Sequence, residues 1–147
     1  MISNRSVPSK TVLPHVVYQD VARTVDWLTT RFGFVEHYRY GDPSTPGGAQ
    51  MRFGDVYIML SAARPGRSSP AQAGGTFTQM LTLFVEDVDA YYARAKAADL
   101  TIFEEINETF YGERQYGVED IEGHRWLFSQ HMRDVDPSEW GAAICHS

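Results

Sequence analysis

Hydrophobic and polar positions follow one another along this chain in two cycles of the same order. From Leu13 to Tyr18 branched and aromatic residues dominate, as in a strand. After Asp20, the residues Val21, Val25, Leu28 and Phe32 recur at the spacing of one helix face. Asp20 can cap that helix, and Gly33 can end it in the left-handed conformation that glycine adopts without cost. Phe34 to Tyr40 reads as a strand. Gly41-Asp42-Pro43 and Pro46-Gly47-Gly48 read as a turn-rich connection. Ala49 to Phe53 and Val56 to Ser61 flank Gly54-Asp55, a hairpin signal.

The second cycle begins about 67 residues after the first, where Val85-Glu86-Asp87-Val88 matches Tyr18-Gln19-Asp20-Val21. Met80 to Val85 predicts a strand. Asp87 and Asp89 open a helix running to about Ala98, with Val88, Tyr91, Tyr92 and Ala95 on its apolar side. Thr101 to Glu105, Arg114 to Ile121 and Arg125 to His131 predict three more strands, with Tyr111-Gly112 in a loop. Two copies are too few for a solenoid, so the repeat implies a pseudo-symmetric pair with the functional space between its halves. The expected layout is a single domain over residues 1–147: module 1 about 12–61, a mobile linker about 62–78, module 2 about 79–131, and a tail 132–147. The tail, with Pro137 and Trp140, is expected to dock on the body.

Period-2 alternation divides each strand between two faces. Val16 and Tyr18, Ile58 and Leu60, Leu81, Leu83 and Val85, and Trp126 and Phe128 are apolar and should meet the helices. The opposite sets are mixed: Leu13, His15 and Val17; Tyr57, Met59 and Ser61; Met80, Thr82 and Phe84; Arg125, Leu127 and Ser129. Half-polar faces of this kind suit a lined cavity. The expected ligand-binding wall is His15, Tyr57, Thr82, Phe84, Arg125 and Ser129, with Tyr40 and Tyr116 nearer the mouth. His15 and Arg125 would orient polar groups, and the aromatics would supply burial.

Composition narrows the function classes. The 147 residues are 43% hydrophobic and 22% charged, ordinary for a globular chain long enough to bury a core. The net charge of -6 and the lack of a basic cluster argue against nucleic acid as partner. No apolar run is long enough to span a bilayer, and Met1 to Thr11 lacks the apolar core of a secretory signal. The one cysteine, Cys145, cannot form an internal bridge. Together these features predict a cytoplasmic location. There is no phosphate-binding glycine loop with its lysine, and no nucleophile elbow or orienting acid accompanies Ser129. Glu113 beside Arg114 suggests an ion pair, with a clamp on an anionic ligand as the functional alternative for Arg114. His37 and His124 read as surface or turn positions, and His146 as tail.

A duplicated strand-helix-three-strand unit resembles the vicinal oxygen chelate superfamily, which includes glyoxalase I, bleomycin-resistance proteins and extradiol dioxygenases. The resemblance rests on Leu13-Pro14-His15-Val16-Val17-Tyr18-Gln19-Asp20-Val21, on Asp26-Trp27-Leu28 before Arg31-Phe32-Gly33-Phe34, and on Arg52-Phe53-Gly54-Asp55. The second half adds Val85-Glu86-Asp87-Val88-Asp89-Ala90-Tyr91-Tyr92, Tyr111-Gly112-Glu113-Arg114-Gln115-Tyr116, and Asp120-Ile121-Glu122-Gly123-His124-Arg125-Trp126. The last is similar to the family's D-P-x-G-x-x-W segment, with Ile121 where proline is usual. The resemblance implies an α+β fold: two βαβββ modules forming an open, cupped eight-stranded mixed sheet with helices on its outer face.

Metal-dependent members of that family carry His or Glu at an inward position on four strands. Alignment on the strand-helix junctions places those positions at Leu13, Met59, Met80 and Leu127, which are not hard-metal ligands. The resemblance therefore implies a cofactor-free protein that sequesters a small organic molecule, as the family's antibiotic-resistance members do, and that forms a homodimer. Two enzymes remain as alternatives. One is a glyoxalase-like lyase, isomerase or dioxygenase with a displaced metal site built from His15, His131 and Glu104 or Glu105. The other is a metal-free enzyme with His15 as general base.

Overall fold

The computed structural model describes residues 2–8 and 11–145; His146 lies outside them. The chain divides into two compact units, the first taking in residues up to Phe77 together with Ile121–Gly123, the second Thr78–Asp120 with residues from His124 onward. Each unit is a βαβββ module. The first contains β1 (His15–Tyr18), α1 (Val21–Phe32), β2 (Val35–Asp42), β3 (Thr45–Phe53) and β4 (Val56–Ala62). The second contains β5 (Met80–Phe84), α2 (Val88–Ala97), β6 (Ile102–Glu108), β7 (Glu113–Glu119) and β8 (Arg125–His131). The strands form two four-stranded mixed sheets, ordered β1-β4-β3-β2 and β5-β8-β7-β6. In each, the strand before the helix runs parallel to the module's last strand, and the other neighbours are antiparallel. No helix among the described residues is long and apolar enough to cross a membrane.

The caps read from sequence set the helices. The Asp20 carboxylate accepts the Arg23 N–H at 3.0 Å, and Gly33 at φ 83° donates its N–H to the Leu28 carbonyl. Asp87 repeats the first contact at 3.1 Å to Ala90. Val21, Thr24, Val25, Leu28 and Phe32 of α1 are buried, and beneath them the helix-facing residues Val16, Tyr18, Ile58, Leu60, Ala49 and Met51 are almost wholly enclosed. The second core forms around Trp126 and Phe128, with Tyr91 of α2 stacked on Phe128 at 5.3 Å and Tyr92 tilted against Tyr116 at 5.2 Å. Trp126 donates its indole N–H to Asp120 at 3.0 Å, so burying the ring leaves no donor stranded.

Three sequence expectations are corrected. The glycine-rich stretch before Ala49 is not a loop: β2 and β3 form one long hairpin closed at Pro43-Ser44, where Asp42 accepts both the N–H and the hydroxyl of Ser44 at 2.9 and 2.7 Å. Its Gly48 is required by packing, because a Cβ there would sit 2.5 Å from the Tyr40 hydroxyl and 2.7 Å from the Leu60 carbonyl. The segment after β4 is anchored rather than mobile. Pro70–Ala73 forms a short 3-10 helix, Ser69 and Pro70 are buried, and Ala71 donates to the Glu122 carbonyl at 2.9 Å. Glu113 does not pair with Arg114: the Arg114 guanidinium holds Asp89 at 2.8 Å and approaches Glu108 at 3.8 Å, and Glu113 faces His131. Adjacent residues on a strand point to opposite faces, so neighbours in sequence are poor partners here.

The tail packs as expected. Met132 donates to the Gly112 carbonyl at 2.9 Å, Val135 is buried, and the Trp140 ring lies 6.0 Å from Tyr111 and 6.1 Å from Phe110.

A buried carboxylate ties the start of α1 to Ile121–Gly123. Glu122 accepts the N–H groups of Gln19 and Asp20 at 2.6 and 2.9 Å. Glu122→Ala leaves two partly buried amides without this acceptor and should cost about 2 kcal/mol, read as a lower urea midpoint at unchanged slope.

Candidate functional site: the uncovered sheet faces

Cross-strand pairing assigns the face of each sheet that its helix does not cover. In the first module, one row crosses the sheet as His15, Met59, Gln50 and Tyr38, and the next as Val17, Ser61, Gly48 and Tyr40. Tyr57 lies one step along from Met59, opposite Arg52. The expected residues His15, Tyr57 and Tyr40 thus share this face, His15 and Tyr40 exposed and Tyr57 half-buried.

The centre of that face is Gln50, fully buried although polar. Its amide donates to the Ser6 carbonyl at 2.9 Å and lies 3.3 Å from the Tyr38 hydroxyl and 3.5 Å from the Met59 sulfur. Its oxygen faces His37 Nδ1 at 2.6 Å, which makes that ring nitrogen the donor. The His37 ring packs edge-on to Tyr57 at 5.5 Å. A strand bulge between Glu36 and Tyr38 is what brings His37 toward Gln50. Gln50, His37 and Tyr38 were missed as site residues in the sequence. The available signal was Gln50 itself, a polar residue between the core positions Ala49 and Met51.

In the second module the equivalent rows are Thr82, Leu127 and Gly117, then Phe84, Ser129, Gln115 and Asn107, with Met80, Arg125 and Glu119 at one side. Thr82, Phe84, Arg125 and Ser129 therefore share a face as expected. Phe84 is 63% exposed, while Ser129 beside it is 1% exposed. The Ser129 hydroxyl has no hydrogen-bond partner among the described residues. A groove of about 370 Å³ is lined by Phe84, Val85, Glu86, Gln130 and His131. Arg125 lies 4.5 Å above the Phe103 ring and 3.4 Å from Glu119. Gly117 makes room for that ring, since a Cβ there would meet Phe103 at 2.5 Å.

Tyr116 is the exception among the expected wall residues. It lies opposite Phe128 on the helix-facing side, stacked on that ring at 5.4 Å and 9°. Counting one residue from Gln115 turns the side chain to the other face, so Tyr116 belongs to the core and not to a cavity mouth. Burial pushes its phenol pKa well above the ordinary value of about 10, with the positive charge of Arg94 opposing slightly.

The strand register also revises the inward positions at which chelating relatives place their ligands. Met59 lies opposite His15 rather than Leu13, and Leu127 opposite Thr82 rather than Met80. The first module thus offers an imidazole and a thioether at these positions, and the second a hydroxyl and an aliphatic side chain. Divalent Zn, Fe, Ni or Mn sites need several imidazole or carboxylate donors, so these residues do not fit such an ion. The alternative donors are already engaged: His131 with Glu113 at 2.9 Å, Glu104 with Gln115 at 2.9 Å, and Glu105 with the Tyr92 hydroxyl and with Lys96 at 3.6 Å. Among the described residues no three His, Cys, Asp or Glu side chains come together in a way that could hold a metal ion.

The duplicated βαβββ module with a mixed sheet and one uncovered face per copy defines a class, and sequence comparison agrees. The profile of the Glyoxalase/Bleomycin resistance protein/Dioxygenase superfamily matches residues 12–128, and the chain belongs to that superfamily. It is 33% identical over 140 residues to an uncharacterised protein of Mycobacterium bovis, covering 89% of this chain and 90% of that one. Among solved structures, TioX from Micromonospora sp. ML1 is 29% identical, with a TM-score of 0.68 over 86% of this chain and 100% of its own. TnmS3, an antibiotic binding protein from Streptomyces sp. CB03234, shares the fold at 21% identity and a TM-score of 0.66, over 84% of this chain and 96% of its own.

The Tyr116 phenol supplies a pH test of its core position. A folded-state pKa raised above the unfolded value adds stability that is complete below about pH 10 and is lost as pH climbs through and beyond it. Tyr116→Phe should flatten the fall in unfolding free energy above that pH, measured by urea titration across the alkaline range.

Proposed function

We propose that this chain binds a small organic molecule on the uncovered faces of its sheets, with no resident metal, and acts by sequestration rather than turnover. The observation that carries the reading is the pairing of Phe84 and Ser129. A large aromatic ring left mostly in water stands beside a buried hydroxyl without a partner among the described residues, next to a groove whose volume suits a small ligand. An exposed ring forgoes burial, and an unpaired buried hydroxyl costs free energy. A ligand with an aromatic surface would bury the Phe84 ring. Arg125, stacked on Phe103 and paired with Glu119, adds guanidinium N–H donors to the same face for a carbonyl group. The likeness in fold to an antibiotic binding protein supports the same reading, and a role in antibiotic resistance is its natural extension. A cytoplasmic homodimer is part of the proposal.

Anilinonaphthalene sulfonate, a planar aromatic anion, is a suitable first probe, with bleomycin as competitor. Its fluorescence should rise on binding, and Phe84→Ala should weaken binding about tenfold, as expected for loss of one ring contact. Unaltered binding in that variant removes the proposed wall. Light scattering should give twice the monomer mass. Stoichiometric divalent metal in the purified protein, lost on His15→Ala, would replace this reading with a metalloenzyme.

A further inference from the structure

The first module's uncovered face already holds a guest, and the guest is part of the chain. The Ser6 backbone carbonyl accepts hydrogen bonds from the Gln50 amide at 2.9 Å and from the Tyr38 hydroxyl at 3.0 Å. The residues around it are shaped to present that carbonyl. Asn4 accepts the Val7 N–H at 2.9 Å and the Ser6 hydroxyl at 3.0 Å, folding residues 4–7 into a turn, and Val7 is half-buried.

The receiving side is built and fixed. Gln50 is fully buried, and His37 holds its oxygen at 2.6 Å, so the amide nitrogen is turned to the guest, with the Tyr38 hydroxyl and Met59 sulfur as longer contacts. Tyr38 is held by the same cluster, its hydroxyl 3.7 Å from the Met59 sulfur. The grip on the guest is slight by comparison. Two neutral hydrogen bonds contribute little net free energy each, because water competes for the same groups. A preorganised pair of donors holding a loosely tied carbonyl describes a subsite with a removable occupant.

We propose that Gln50 and Tyr38 form a subsite for an uncharged amide, ester or ketone carbonyl, and that residues 4–7 are a strap occupying it until such a ligand displaces them. The chemistry selects the class. Both donors are neutral, which suits an uncharged carbonyl oxygen; a carboxylate there would bring a charge that neither donor offsets. The subsite lies wholly in the first module and stands independently of the Phe84 and Ser129 reading.

The test uses the full chain, N-acetylvaline methylamide as a mimic of the Ser6 carbonyl and Val7, and tryptic cleavage after Arg5 as the readout of strap release. Cleavage should be slow in the parent protein and rise several-fold, saturably, with the probe. Asn4→Ala loosens the strap without touching the donors. It should raise basal cleavage and lower the probe concentration for half-effect about tenfold, because less of the protein is in the closed state. Gln50→Met keeps the volume and removes the donor, so cleavage should become fast and independent of probe. Tyr38→Phe, at a half-exposed position, should act in the same direction more weakly and guards against misfolding of the Gln50 variant. Three results would overturn the proposal: fast cleavage in the parent protein, no effect of the probe on the parent protein and the Asn4 variant, or a probe effect that survives in Gln50→Met.

Discussion

One helix can cover only one face of a four-stranded sheet, and the rest of this structure follows from that limit. Each module supplies a single helix of three turns or so, and the alternation of side chains along every strand sends half of them away from it. The covered halves close into two small cores, Leu28 and Leu60 in one, Trp126 and Phe128 in the other. The uncovered halves must be made of residues that tolerate water or something that replaces it. This is a physical reason for function to reside there, independent of any relative.

The two modules meet that requirement differently from the same template. Across the first sheet Gln50 stands opposite Met59 and Gly48 opposite Ser61. Across the second, Gly117 stands opposite Leu127 and Gln115 opposite Ser129. The glutamine and the glycine have exchanged places. In each module the glycine makes room for an aromatic ring, Tyr40 on one side and Phe103 on the other. The exchange moves the polar centre by one row. Gln50 becomes a fully satisfied hub, while Gln115 turns to Glu104 and Tyr111 and leaves the Ser129 hydroxyl without a partner among the described residues. A duplicated fold thus presents two unlike faces, one with two donors on the Ser6 carbonyl and the other with an exposed aromatic ring beside a buried hydroxyl.

Membership of the Glyoxalase/Bleomycin resistance protein/Dioxygenase superfamily fixes the scaffold and leaves the chemistry open, since a fold hosts whatever its side chains can do. The side chains at the inward positions bear on the metal question module by module. His15 and Met59 in the first module offer one imidazole and a thioether, Thr82 and Leu127 in the second a hydroxyl and an aliphatic chain, and neither pair makes a hard-metal site; Glu104, Glu105 and Glu113 are committed to Gln115, Tyr92, Lys96 and His131. Breaking those contacts to recruit an acid would carry its own cost.

Local patterning alone determined both modules, their helix caps at Asp20, Asp87 and Gly33, and the faces of nearly every strand, because caps and alternation depend on residues a few positions apart. It also placed His15, Tyr57, Thr82, Phe84, Arg125 and Ser129 on the uncovered faces. It misread what depends on pairing between distant segments. The hairpin through Gly48 needed the Tyr40 ring, the anchored linker needed Glu122, and Tyr116 needed the register of Phe128. The same holds for Gln50: its meaning lay in His37, brought over by a bulge, and in Ser6, forty-four residues away along the chain. Sequence spacing encodes which side of a strand a residue takes; only the folded register decides what stands opposite it, because that choice is made by packing across the sheet rather than along it.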